Sequence, residues 1–244
     1  MIGKELIWLK KTDSTNLYLQ DLIKKSKIPE GTMVIAEEQN AGRGQRGNSW
    51  ESSTGENLTF SFVIYPDFLE LRYQFMLSKT IALALFDLLK GYIEDVKIKW
   101  PNDIYIGKKK IAGILLENVI KGTKISNTVV GIGLNINQKS FSEGLPFASS
   151  LSLETGNDYK LPIILNDLIS NLNIRYNDLK MANFEKLNQQ YLNALYQFME
   201  FYDYSANNEV FNAKIIEIEE DGRLCLLTRN NEILKFAFKE VAFL

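Results

Sequence analysis

Apolar and polar residues alternate along this chain with two periods, and each change of period marks an element. Glu5 to Lys10 and Thr32 to Glu37 are short runs of the strand type. Between them Asp13, Ser14, Thr15 and Asn16 offer helix N-cap residues, followed by Tyr18, Leu19, Leu22 and Ile23 on one helical face. Asn57 to Tyr65 (NLTFSFVIY) reads as a longer strand closed by Pro66. Gln74 to Leu89 (QFMLSKTIALALFDLL) is apolar nearly all round, which predicts a buried central helix. VKIKW, DIYI, KIAGILLE and TVVGIGLNIN then follow as strands, with Gly107-Lys108 as the hairpin turn joining the second and third. Leu161, Leu165, Leu168, Leu172, Tyr176 and Leu179 make one stripe of a long helix, and a further helix covers Asn183 to Leu195. After Tyr196 the period shortens to two: EVFNAKIIEIEE, RLCLLTR and EILKFAF are separated by Asp221-Gly222 and Asn230-Asn231 turns. This last segment reads as a small β-barrel of about 45 residues.

Composition narrows the chemistry more than the fold. A chain of 244 residues suits one large domain, or a large and a small one. Hydrophobic residues at 45% and charged residues at 24% are ordinary for a soluble protein. With no secretory signal and no span-length apolar segment, the expectation is a cytoplasmic protein without membrane contact. A net charge of −2 argues against broad nucleic-acid binding. The single cysteine, Cys225 in the run LCLL, rules out a disulfide framework and reads as a buried strand residue. The chain has no histidine, which removes Ser-His-Asp and Cys-His catalysis and ordinary zinc sites. Proton transfer falls to Asp, Glu, Lys, Tyr or the substrate itself.

Four stretches stand outside ordinary packing. In NAGRGQRGNSW, Gly42, Gly44 and Gly47 spell the dinucleotide fingerprint G-x-G-x-x-G. That fingerprint needs a helix opening directly behind it, whereas NSWESSTGEN and a strand follow here. What remains is a glycine loop whose amides can approach an anion, with Arg43 and Arg46 as fixed charges and Trp50 as a flat face. Taken alone it reads first as a solvated surface turn. KWPND presents Asn102 and Asp103 at a sheet end, to bond a ligand, to organise Mg²⁺ or simply to turn the chain. KKKIAGILLE sets Gly113 inside a strand, a mark of close approach, with Lys110 as the lysine best placed to point inward. GIGLNIN combines two glycines and two asparagines with apolar residues, which packing alone explains poorly.

TDSTN, AEEQNAGRGQRGNSW, NLTFS, KWPNDIYIGKKKIAGILLE and GIGLNIN, in this order and spacing, resemble the biotin–protein ligase family, also called biotin–[acetyl-CoA-carboxylase] ligase. The resemblance covers essentially the whole chain. It implies an α+β fold: a mixed, mainly antiparallel sheet with packed helices, of the class II synthetase or biotin–lipoate ligase kind, over residues 1–195. A small SH3-like β-barrel over residues 196–244 would follow. It implies two half-reactions, in which biotin and ATP with Mg²⁺ give biotinyl-5′-AMP, and a lysine of a biotin carboxyl carrier domain then takes the biotin.

The site residues follow from the same resemblance. Lys110, Arg43 and Arg46 would supply the cations that a carboxylate needs to meet a triphosphate, and Asp103 would serve the acceptor amine. Ser14, Thr15, Asn16 and Gln39 would hold the ureido head, with Gly113 and Leu115 admitting the rings. Gly42, Arg43, Gly44 and Gln45 of the loop, with Lys110, would complete the biotin side. Trp50, Asn102 and Asn135 would join Arg43, Arg46 and Lys110 on the nucleotide, and no firm protein ligand for the metal is implied. This chain departs from many relatives at Gln45, where they carry arginine, at Thr59, where they carry an aromatic residue, and at the C-terminus, where Lys239 is a weak substitute for an arginine. The alternative within the fold is a lipoate or octanoyl ligase. A non-catalytic biotin-binding module would not need Arg43, Arg46 and Lys110 together. With twelve residues ahead of Asp13, a helix-turn-helix and DNA binding are not expected, while a homodimer through the catalytic sheet is compatible with the resemblance.

Overall fold

The computed structural model describes the chain from Met1 to Leu244, except for the side chain of Arg46. It begins with β1 (Leu6–Thr12), α1 (Thr15–Lys25), β2 (Met33–Gln39), β3 (Leu58–Ile64) and α2 (Phe75–Lys90). Next come β4 (Val96–Lys99), β5 (Asp103–Ile106), β6 (Lys109–Lys121) and β7 (Lys124–Leu134). These strands form one seven-stranded sheet in the order β1-β2-β3-β7-β6-β5-β4. Only the β1–β2 pair is parallel, so the sheet is mixed but mainly antiparallel. Helices α3 (Leu151–Thr155), α4 (Leu161–Lys180) and α5 (Phe184–Ala194) follow.

Alternation along the strands separates two faces. Phe60 and Phe62 of β3, Val130, Ile132 and Leu134 of β7, and Ala112 and Ile114 of β6 point into the main core beneath α2 and α4. The other face carries Val34, Val63 and Val129, which pack with Leu19 of α1 in a second, smaller cluster. Beyond that cluster the same face turns polar or bare. Gly131 lies between Ser61 and Leu115, and Gly133 lies between Thr59 and Gly113. The functional site is built on this bare stretch.

The remaining strands are β8 (Phe201–Ala206), β9 (Glu209–Ile218), β10 (Leu224–Thr228), β11 (Ile233–Phe236) and β12 (Ala242–Phe243). They make a five-stranded antiparallel sheet in the order β11-β10-β9-β8-β12, with Cys225 buried in it. The Asp221-Gly222 turn docks this sheet on the first one. Gly222 has φ +94°, a Cβ there would meet the Phe75 ring at 2.6 Å, and its carbonyl accepts a bond from Trp100 Nε1 at 2.9 Å. Glycine is required on both counts.

Three differences from the sequence reading have physical causes. The β6–β7 hairpin continues to Lys121 and Lys124 around Gly122, well past the apolar runs, because backbone pairing extends where side chains are already solvated. α3, β8 and β12 are too short or too irregular to show a period. At the start of α1, Ser14 occupies the cap position without a side-chain cap bond, and Tyr18 is exposed instead of sharing the buried face.

Lys79 of α2 is buried where the two sheets meet, with Nζ 2.6 Å from Asn188 Oδ1 and 3.4 Å from the Ile218 carbonyl. Burial pulls its ammonium down to about 8, against the opposing pull of Glu217 and Glu220. The unfolded chain therefore binds more protons between about pH 8 and the ordinary lysine value of 10.5, and stability should rise with pH across that window. The gain expected from this one group is about 3 kcal/mol. Urea unfolding of wild type and Lys79→Met at pH 7.5 and 10.5 should show the gain as a difference, since all other groups titrate in both proteins.

Candidate active site

A cavity of about 640 Å³ lies on the bare face of the sheet, beside the first turn of α1 and under the loop 40–50. Its three parts differ in chemistry.

One end is a chain of hydrogen bonds. Gln39 Oε1 accepts from the Thr15 amide at 2.8 Å and from its hydroxyl at 3.2 Å. The Thr15 and Ser61 hydroxyls are 2.7 Å apart, and Ser61 donates to Asn16 Oδ1 at 2.5 Å. Asn16 in turn donates to Glu117 Oε2 at 2.8 Å. Ser14, Thr15 and Asn16 are buried although they open a helix, because the helix N-terminus is aimed at the cavity instead of at solvent.

The floor is backbone. Gly113 and Gly133 are cross-strand partners, and the Trp50 indole lies directly on them. A Cβ at Gly113 would come within 2.9 Å of the Trp50 ring, and one at Gly133 would overlap it. Gly131 leaves room for the Asn16 side chain in the same way. The close approach expected at Gly113 is thus made by an indole. Trp50 Nε1 is buried without a hydrogen-bond partner.

The far end is charged. Lys110 Nζ is 2.7 Å from Asp103 Oδ1 and 5.6 Å from the Trp50 ring centroid. Lys99, paired with Asp103 in the β4–β5 register, has its pKa lowered by burial; Asp103 opposes that shift and Lys110 adds to it. Arg43, from the loop, belongs instead to the first end, where it pairs with Glu117, Nη2 to Oε1, at 2.9 Å. The backbone of Lys110 is fixed on both sides, its amide donating to Phe147 O at 2.7 Å and its carbonyl accepting from Ser149 N at 3.0 Å.

Most of the residues singled out from the sequence meet here. Ser14, Thr15, Asn16, Gln39, Arg43, Gly44, Gln45, Trp50, Asn102, Asp103, Lys110, Gly113 and Leu115 all line the cavity. Asn102 is strapped to β6, its Nδ2 donating to the Ile114 carbonyl at 2.9 Å. Gly42 lies outside the lining and closes the base of the loop, its carbonyl accepting from the Trp50 amide at 2.9 Å. Asn135 also lies outside the lining. Its Nδ2 is spent on the Ser149 carbonyl, while Oδ1 is buried without a partner. The Arg46 side chain falls outside the described residues. Thr59 donates to the Ala36 carbonyl at 2.8 Å beside the glycine floor. Two contributors were not anticipated, Ser61 and Glu117. Neither lines the cavity itself; each sits at an alternate strand position on the sheet face that carries it, Ser61 between Phe60 and Phe62, and Glu117 two residues beyond Leu115.

A hydrogen-bonding end, a glycine floor covered by the Trp50 indole and an end carrying Lys110 suit one small molecule with a polar head and an acidic tail. Fold and cavity together define an enzyme that binds and handles an acid. The chain belongs to the Biotin/lipoate A/B protein ligase family, whose family model matches residues 8–135. It is 30% identical to the bifunctional ligase/repressor BirA of Bacillus spizizenii over 234 residues, covering 94% of this chain and 71% of that protein. It is 39% identical to the biotin–[acetyl-CoA-carboxylase] ligase of Paracoccus denitrificans over 131 residues, covering 52% of this chain and 53% of that one. Among solved structures, the biotin protein ligase from Aquifex aeolicus in complex with biotin and ATP superposes with TM-score 0.80 at 28% identity. That match covers 98% of both chains.

Proposed function

We infer that this chain is a biotin–protein ligase: it activates biotin with ATP to biotinyl-5′-AMP and transfers the biotin to a lysine of a biotin carboxyl carrier domain. The observation that carries the reading is the superposition, over 98% of both chains, on a ligase solved with biotin and ATP. The cavity supports it independently, since its polar network at one end and Lys110 at the other suit a ureido head and a carboxylate.

In the first step a biotin carboxylate oxygen attacks the α-phosphorus of ATP and pyrophosphate leaves. Two anions approach each other, so the barrier falls where fixed cations meet the growing charge. Lys110 lines the cationic end, while Arg43 and Arg46 belong to the loop over the cavity, and Arg43 would have to leave Glu117 to join Lys110. Gln45 leaves that loop one charge short of an arginine. In the second step the acceptor amine attacks the acyl carbon and AMP leaves, with Asp103 placed to orient or deprotonate the amine. Asn135, with an unpartnered oxygen just behind the wall, is assigned to the nucleotide only on resemblance. Magnesium would arrive on the ATP phosphates. Among the described residues no three His, Cys, Asp or Glu side chains converge into a cage for it.

The catalytic unit is assigned to residues 1–195 and the C-terminal sheet, read as an SH3-like barrel, to residues 196–244. The acceptor class follows the name of the Paracoccus relative, which specifies acetyl-CoA carboxylase. No helix among the described residues is long and apolar enough to cross a membrane. The test is mass spectrometry of a purified carrier domain after incubation with this protein, biotin, ATP and Mg²⁺. One biotin on one lysine is expected, and lipoate or octanoate should not replace it. Modification by lipoate alone would transfer the reading to the other branch of the family.

A further inference from the structure

Glu117 has no part in the chemistry above, yet it ends the hydrogen-bond chain that runs along the cavity. Its Oε2 accepts from Asn16 Nδ2 at 2.8 Å and from Gln20 Nε2 at 2.9 Å. Arg43 lies end-on against the same carboxylate, Nη2 to Oε1 at 2.9 Å and Nη1 to Oε2 at 3.4 Å. The two amides are neutral, so Arg43 is the group that balances the charge of Glu117. Both partners are partly shielded, with the Glu117 side chain 24% exposed and that of Arg43 39% exposed.

We propose that Glu117 is the positioning residue for the loop arginine: it parks Arg43 on the cavity wall, and an anionic ligand must take the guanidinium from it. This rests on the reading that the cavity accepts a carboxylate. An arginine on a glycine-rich loop would otherwise range through solvent. The ion pair confines Arg43 within reach of the cavity and offers the incoming acid a site already organised around a carboxylate. It also exacts a penalty, because one carboxylate must displace another. Since Oε2 also holds Asn16, ligand contact at the polar end and release of Arg43 converge on a single group.

Glu117→Gln tests this, because a glutamine oxygen can still accept from Asn16 and Gln20 while the charge facing Arg43 is gone. Trypsin must seat a free guanidinium to cut after Arg43. In ligand-free protein, cleavage at that bond should be about fivefold faster in the variant, the worth of one partly exposed ion pair. The KM for biotin in adenylate formation should fall by a similar factor, about fivefold, and by more than kcat changes. Glu117→Asp keeps the charge but draws it back by one methylene, and should move both readouts the same way by less. Equal ligand-free cleavage in wild type and Glu117→Gln, or a raised KM for biotin, would overturn the proposal. Wild-type protein left unprotected by biotin and ATP together would refute the ligand reading and the competition with it, whatever the ligand-free rates.

Discussion

Lys110→Ala should lose adenylate formation by about a hundred- to a thousandfold or more in kcat, the scale for removing one preorganised charge stabiliser. The loss should be chemical and not structural. The backbone of Lys110 is held by Phe147 and Ser149, and neither bond involves the side chain. Its side chain is partly exposed, so truncation opens no sealed cavity, and Asp103 keeps Lys99 opposite it in the strand pair. Circular dichroism and the unfolding temperature should therefore stay close to wild type. Biotin-dependent release of pyrophosphate is the measurement, and release at the wild-type rate would remove Lys110 from the reaction.

Asp103→Asn should separate the two half-reactions. An acceptor lysine with an ordinary pKa near 10.4 is neutral in only about one molecule in two thousand at pH 7. With no histidine in the chain, a carboxylate lining the cavity is the candidate to help. In the ligand-free site that carboxylate is taken by Lys110 at 2.7 Å. If Lys110 turns to the phosphate as proposed, Asp103 would be released for the incoming amine. Asparagine is nearly isosteric and leaves Lys110 free, so adenylate synthesis should change little. Transfer from preformed biotinyl-AMP should slow by about a hundredfold or more, the usual worth of a general base. The deficit should shrink as pH rises toward the acceptor's pKa. Single-turnover measurements of each step across pH decide the matter. A larger loss in the first step, partly recovered by excess Mg²⁺, would make Asp103 an organiser of phosphates, and a transfer loss equal at every pH would end the base role.

Period and turn chemistry made the order of elements legible: the buried helix from Phe75, the hairpin at Gly107 and the strand pair around Asp221-Gly222 all lie where apolar spacing put them. Motifs likewise marked one wall of the cavity, because loop and strand-end residues such as Arg43, Asp103 and Lys110 lie outside the packing pattern. Ser61 and Glu117 were harder to see. Ser61 reads as one small residue in an apolar strand, and Glu117 as the solvated end of another. Each matters only through sheet register, which brings Ser61 to Asn16 across 45 residues and Glu117 to Asn16 across 101. Pairing at that range is a tertiary fact with no local signature. Asn135 shows the converse. Its motif is conspicuous, but it lies outside the cavity lining, with its Nδ2 donating to a backbone carbonyl.

The floor formed by Gly113 and Gly133 is a pocket made by omission: it exists because two facing strands leave out their side chains at the same rung. Such a floor cannot be retuned in small steps. The smallest change, glycine to alanine at Gly133, already fills the space that Trp50 occupies. Changes in which acid this scaffold accepts must then be written at the rim, at Gln39 or in the glycine loop, where one side chain can replace another of similar size. The centre of the site is the part of the molecule least open to drift, although it carries no functional group at all.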